Sequence, residues 1–372
     1  MGASVEPLME DLAGYFAPPP ELIGLEITQR CNLQCPMCHI HGRVPPLEFQ
    51  GRDMRLDALQ RMAPVLRTAQ QVLLTGGGEP FLVRQLADFV DECHRINPGI
   101  EVTLISNGVL LTEKRAHMVI EKRVHRIDFS MDGTIQYGHV GGGADFDEVK
   151  DNIRRLARLK RDYGVDEPRI RIAFVAMRDN LCEIPGLVDF AAEVGAAIFF
   201  QPLSPATPEQ RSQNVFRHAD YTLRMLEAGK ARAQEMGVSF DPLNMSLDLT
   251  LSPHGGCAAP SKQFWVSYTG ALAACCGGVV TGSSIYDPGV RVEDVWNSTM
   301  MRRLRWELDT GNYNEICSRC PTLWNTIENQ ERAVPLSDAE KQVLELEAHI
   351  AAIKNGRVMR LLRVADRMLG RA

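Results

Sequence analysis

The strongest constraint in this chain is the run Cys31-Asn32-Leu33-Gln34-Cys35-Pro36-Met37-Cys38, which follows directly on an apolar stretch at 22–28. It offers three thiols spaced x3 and then x2. A structural zinc site normally closes its tetrahedron with four protein ligands, and a fully ligated cubane iron–sulfur cluster also takes four cysteines. Three thiolates leave one iron open, where a molecule that must react can bind. The loop is close enough to the end of a strand to be held rigidly.

Composition bounds the rest. The chain has 372 residues, 45% apolar and 24% charged, as in an ordinary folded globular protein. That length suits one large α/β domain with a smaller attachment, or two domains. A net charge of -6 gives no reason to expect a nucleic-acid partner. No apolar run reaches the roughly 20 residues of a membrane span, and no signal peptide opens the chain, so a cytoplasmic location is expected. Ten cysteines fit that compartment if most are metal ligands or reduced thiols.

Residues 1–20 read as a short leader ending in Pro18-Pro19-Pro20, an extended approach to the first strand. Beyond it, apolar runs at 22–28, 71–75, 100–105, 127–130, 170–176 and 198–201 alternate with amphipathic helical patterns such as Leu56-Leu59-Met62-Leu66. Strand followed by helix, repeated this way, means parallel strands joined by crossover helices. The expected fold class is therefore α/β, a partial (β/α)6 TIM-type barrel over 21–240, with ligands at the carboxyl ends of the strands. A Pro- and Gly-bearing linker lies within 237–256. A small α+β cluster subdomain is expected at 250–330, and a helical extension at 337–372 whose basic, amphipathic tail is given no chemistry.

Each strand end carries residues suited to lining a ligand. After the second come Gly76, Gly77, Gly78 and Glu79: glycines permit close backbone approach, and a carboxylate can receive an ammonium group. Asn107, after the third, can bond a ribose or a carboxylate, or serve its own turn. Ser130, Met177 and Gln201 end the fourth, fifth and sixth strands. Later in the chain Cys257, Cys275, Cys317 and Cys320 supply four separated thiols, enough to close a metal site. Cys275 is expected on a β-hairpin turning at Thr269-Gly270, with Cys276 on the opposite side by strand alternation.

These motifs together resemble the radical S-adenosylmethionine superfamily, over roughly residues 22–325. The resemblance implies a [4Fe-4S] cluster on Cys31, Cys35 and Cys38 whose open iron chelates S-adenosylmethionine. Met37 stands where the family often has an aromatic residue and is itself apolar enough to pack beneath adenine. It further implies that the Gly76–Glu79 motif holds the methionine amino group, that Ser130 contacts the ribose, and that Met177 and Gln201 lie on the adenine and cofactor side. Cys257, Cys275, Cys317 and Cys320 resemble the Twitch form of the SPASM domain, with one auxiliary [4Fe-4S] cluster and no open iron.

By that resemblance the chain is expected to be an oxidoreductase. It cleaves S-adenosylmethionine reductively, abstracts a substrate hydrogen atom, and passes an electron to the auxiliary cluster. A reducing partner such as flavodoxin or ferredoxin is implied. Only about 20 residues precede the first strand, too few for the leader-peptide recognition domain of many peptide-modifying members, which favours a small molecule such as a sugar or aminocyclitol. The ending Leu369-Gly370-Arg371-Ala372 differs from the Gly-Gly tail of the molybdenum-cofactor cyclase. Alternatives are a peptide-modifying maturase, a radical epimerase in which Cys276 returns hydrogen, an iron–sulfur electron carrier, and a zinc-binding interaction protein. Cys93 and Cys182 read as buried, inert thiols, and His39 and His41 follow the cluster loop without an assigned role.

Overall fold

A computed structural model describes residues 10–38, 40–41, 53–133, 142–203, 212–241, 257–276 and 278–318. His39, Cys320, most of the linker and the C-terminal extension lie outside the described residues. Six parallel strands form the centre of the sheet: β1 (Leu22–Glu26), β2 (Gln71–Thr75), β3 (Glu101–Ser106), β4 (Arg126–Ser130), β5 (Arg169–Ala176) and β6 (Ala197–Pro202), in sequential order. Crossover helices α1 (Ala58–Leu66), α2 (Leu86–Ile96), α3 (Glu113–Glu121), α4 (Phe146–Tyr163) and α5 (Ile184–Val194) join them, and α6 (Ala219–Met236) follows β6.

The apolar runs are nearly continuous because both faces of these strands are covered, as parallel sheets require. Side chains still alternate. Ile127 and Phe129 of β4 are fully buried, and Phe129 lies beside the helix layer, since a Cβ on Gly108 would meet both its ring and Val149 of α4. Arg126, Asp128 and Ser130 therefore point inward. Helix α4 shows how the outer layer is specified. Asp145 caps its start by accepting from the Asp147 and Glu148 amides, and Gly164 ends it in the left-handed conformation. Val149, Ile153 and Leu156 form its buried stripe, each contributing about 1.5–3 kcal/mol by leaving water.

The arc extends beyond the six repeats. A short β7 (Phe240–Asp241) pairs parallel with β6, and β8 (Gln263–Val266) pairs parallel with β1. The parallel strands run from β8 through β1–β6 to β7, and the sheet is not closed. From β8 the expected hairpin continues antiparallel to β9 (Ala271–Ala273) and β10 (Val280–Ser284). Its turn needs Gly270, whose φ is +89° and whose amide donates to Ser267 O at 2.8 Å. Trp265 of β8 lies against Gly24 of β1; a Cβ there would collide with the indole. Barrel and C-terminal region thus share a sheet, and they also share one hydrophobic cluster that includes Phe264, Leu272, Trp296 and Met301.

The leader is held by this C-terminal region. A 3-10 turn at Asp11–Tyr15 rests on the helix Thr299–Thr310. Arg305, 5% exposed, donates to Pro260 O, Tyr15 O, Trp296 O and Asn297 Oδ1, and its guanidinium lies 4.6 Å from the Trp296 ring centroid. Trp296 Nε1 donates to Pro18 O at 2.7 Å. No helix among the described residues is long and apolar enough to cross a membrane.

Candidate active site at the carboxyl ends of the strands

The cysteine loop leaves β1 along a braced path. Thr28 Oγ1 accepts from the Arg30 amide (3.0 Å) and donates to Asp53 Oδ1 (2.8 Å). Arg30 forms a bidentate pair with the same Asp53 and also donates to Leu82 O at 2.9 Å. The three glycines after β2 are needed by this path. A Cβ on Gly76 would strike Thr28 O, and one on Gly78 would strike the backbone of Gln29 and Arg30. The missing side chains therefore let the loop carrying Cys31 lie directly on the loop after β2, with Glu79 N donating to Arg30 O at 2.8 Å. His41 closes the far side: its amide donates to Cys38 Sγ (3.3 Å) and its Nε2 pairs with Gly77 O (2.9 Å).

Glu79 occupies a different place from that of an open ammonium receptor. It is 1% exposed, and its carboxylate accepts from the Phe81 amide (3.0 Å), the Asn107 amide (2.8 Å) and Ser106 Oγ (3.0 Å). It ties the end of β2 to the end of β3. Burial pushes its pKa up to about 7, against the pull of those donors. Asn107 serves its own turn, as one reading of its position allowed, and also reaches the cysteine loop. Its Oδ1 accepts from Val109 N within the turn, while Nδ2 donates to Asn32 Oδ1 (2.9 Å) and reaches Cys31 Sγ (3.8 Å).

Ser130 stands at the inward-facing end of β4, half-buried. Two residues on, Asp132 is buried and accepts from the Val175 amide at 2.7 Å. Asn180 completes the tie, donating to Asp132 O and Val175 O and accepting from Met177 N. Met177, after β5, is 7% exposed. Gln201, in contrast, is exposed at the end of β6, in register with Val175.

Burial pushes the Cys35 thiol up to about 12, with Asp132 and the neighbouring thiols adding to the effect, and burial likewise raises Cys31. Bound to a metal centre such thiols are deprotonated, because its positive charge offsets their burial. Among the described residues no three metal-ligating groups converge on a single ion. A cubane, whose corner irons each take one thiolate, does not require that convergence. The donor set and its glycine seat fit such a cluster.

Sequence reasoning missed Asp132, Asn180 and Gly142. The last, with φ +62°, abuts Cys35: a Cβ would lie 2.5 Å from the Cys35 amide nitrogen. The Ser130-Met131-Asp132-Gly133 string carried a signal for Asp132, and the glycines 141–143 carried one for the close approach.

The second cysteine set draws on three elements. Cys257 is exposed ahead of a short helix at Ala259–Lys262, Cys275 is half-buried after β9, and Cys317 is 8% exposed in the helix Glu315–Ser318. Cys317 N donates to Asn314 Oδ1 at 2.9 Å. Strand alternation does not separate Cys275 from Cys276 as expected, because β9 ends at Ala273. Both lie in a turn fixed by Ala274 N to Val279 O (2.8 Å) and Gly278 N to Cys275 O (3.3 Å). Cys93 is buried as expected, whereas Cys182 is only partly so.

Known proteins resemble the chain in the same two parts. The radical SAM superfamily matches residues 25–190, and the SPASM iron–sulfur cluster-binding domain matches 257–321. The tungsten-containing aldehyde ferredoxin oxidoreductase cofactor-modifying protein of Pyrococcus furiosus is 28% identical over 202 residues, 52% of this chain and 54% of that protein. PqqA peptide cyclase of Gluconobacter oxydans is 30% identical over 185 residues, 48% of each. The chain thus spans about half the length of these curated relatives. In fold it is similar to anSMEcpe with bound AdoMet and Cp18Cys peptide, at a TM-score of 0.59 and 19% identity, covering 94% of this chain and 100% of that one.

Proposed function

The chain belongs to the radical SAM superfamily and carries a SPASM iron–sulfur domain, and from that premise we propose that it dehydrogenates a substrate held against the inner face of the arc. Its cofactors are S-adenosylmethionine and two [4Fe-4S] clusters. Bound at the open iron and reduced by one electron, S-adenosylmethionine is a source of the 5'-deoxyadenosyl radical that removes hydrogen from an unactivated C–H bond, while a fully ligated second cluster is an electron acceptor.

The chain's own residues supply the positions. Cys31, Cys35 and Cys38 would hold the first cluster, and Cys257, Cys275, Cys317 and Cys320 the second. Backbone groups of Gly76–Gly78, with Glu79 bracing them, would face the methionine amino group. Asn107, Ser130, Met177 and Gln201 would follow around the strand ends towards ribose and adenine. Asn107 also steadies Cys31 through its amide, and Asp132 and Asn180 fix the rim beside Cys35. A flavodoxin or ferredoxin would deliver the reducing electron.

The observation that carries this reading is the sheet itself. β1, which leads into Cys31, pairs directly with β8, and β8 leads through β9 into Cys275. That continuity puts the two cysteine regions on one sheet, Cys31 beyond the carboxyl end of β1 and Cys275 beyond the returning end of β9, and supports a reading in which they serve one reaction. An oxidised small molecule is the first reading of the substrate. A peptide is the second, favoured by the likeness to PqqA peptide cyclase and to the fold of anSMEcpe holding Cp18Cys peptide. Anaerobic reconstitution, followed by reductant, S-adenosylmethionine and candidate substrates, tests both: 5'-deoxyadenosine should form together with a product two hydrogens lighter. Deoxyadenosine with a mass-neutral product would contradict dehydrogenation.

A further inference from the structure

A cationic cluster lies on the inner face of β4 and β5, below the rim used by the cofactor. Asp128 stands in register with Arg171, and Arg126 with Arg169. Asp128 is 3% exposed and accepts from Arg126 Nε (3.0 Å), Arg171 Nε (2.9 Å) and Arg171 Nη2. One carboxylate therefore serves two guanidiniums. Arg169 is paired with Glu101 of β3 at 2.8 Å. Arg126 is thus a guanidinium whose charge shares its one carboxylate with Arg171.

That charge has donors to spare. Among the described residues Arg126 engages no acceptor besides Asp128, so both of its Nη groups are uncommitted, and its side chain keeps 21% of its exposure. Arg171 lies 4.6 Å from the Phe199 ring centroid, and its Nη1 is likewise uncommitted among the described residues. Burial lowers the pKa of Arg126; Asp128 and Glu101 oppose this, and Arg171 and Arg169 add to it. An anion beside Arg126 would relieve that penalty.

We propose that Arg126 and Arg171 form the subsite for a substrate carboxylate, about 7–13 Å down the strands from Ser130. A carboxylate, with two acceptor oxygens, can be met by one uncommitted Nη donor from each arginine. The inference rests on the reading that the substrate occupies the inner face. It also explains why Arg126 is charged at all. Its partner Asp128 lies on the same strand, so Arg126 braces no second element.

The test uses the anaerobically reconstituted full chain and equilibrium binding of four probes: propionate, acetyl-alanyl-alanine, its C-terminal amide, and inorganic phosphate. Either carboxylate should bind, and the amide should not. Arg126→Gln should weaken carboxylate binding about fivefold or more while the variant still folds and reconstitutes its clusters. Asp128→Asn should strengthen it about threefold, because it removes the internal competitor. Tighter binding of the peptide acid than of propionate supports a peptide-borne carboxylate, and equal binding supports a free acid. Unchanged affinity in Arg126→Gln, weakening in Asp128→Asn, or preference for phosphate would overturn the proposal. Deoxyadenosine formation by the wild type checks the underlying reading separately.

Discussion

The two cysteine sites are built over different distances in the chain. Cys31, Cys35 and Cys38 lie on one loop, seated on the backbone of Gly76–Gly78 and steadied by Asn107. Cys257, Cys275 and Cys317 come from three elements whose placement depends on β8 joining β1 and on the helix Thr299–Thr310 docking through Arg305. The first site is a local motif on a prepared floor. The second exists only when the C-terminal region has packed. A single backbone defect should therefore harm one site and spare the other.

The largest effect should separate the sites by their chemistry. Cys31→Ala, Cys35→Ala or Cys38→Ala should lower deoxyadenosine formation on the order of a thousandfold or more, because each removes a ligand of the cluster that binds S-adenosylmethionine. Cys317→Ala should halve the iron and sulfide yet leave cleavage within about tenfold of wild type. Chromatography of deoxyadenosine beside a metal assay measures both. Equal loss of cleavage in the two groups would break the comparison.

Next come the supports of each site. Arg305→Met leaves the carbonyls of Pro260, Tyr15 and Trp296 without their donor, and each such loss costs about 1–3 kcal/mol. Chemical denaturation should show that loss of stability, with the second cluster depleted before the first. Gly78→Ala forces a methyl group into the Arg30 backbone and should cost roughly 1–3 kcal/mol, with the first cluster depleted. Gly99→Ala is the control: the nearest atom to its Cβ would be 3.7 Å away, and its melting temperature should hardly move.

A further contrast is one of pH. Glu79 and Asp132 both have pKa values pushed up to about 7 by burial, so the folded apo-protein binds protons more tightly than the unfolded chain. Their contribution favours folding at low pH and is lost as pH rises from the ordinary carboxylate range towards 7. Denaturation of the apo-protein at pH 5 and 7.5 should show this decline, and Glu79→Gln should reduce it, leaving the part that Asp132 contributes. A slope of opposite sign in the wild type would place these carboxylates elsewhere.

The sequence was most informative where structure is local. Strands buried on both faces appear as apolar runs, so the six repeats of β1–β6 and the cysteine loop after β1 were legible. Pairings across long separations left no such signature. β8 joins β1, Arg305 binds Tyr15 O across 290 positions, and Gly142 covers Cys35. Glu79 was visible as a residue but not as a brace, because spacing does not tell which way a side chain turns. Arg126 and Arg171 went unread for a related reason: an arginine in a strand gives no sign of whether it faces a helix, solvent or the interior of an arc.

The division of labour between the sites is tested most directly by electron paramagnetic resonance of reduced Cys317→Ala, with and without S-adenosylmethionine. One cluster signal should remain, and its shape should change when S-adenosylmethionine is added, because the open iron gains a ligand. A remaining signal indifferent to S-adenosylmethionine, or no signal at all, would contradict the assignment of the open iron to Cys31, Cys35 and Cys38.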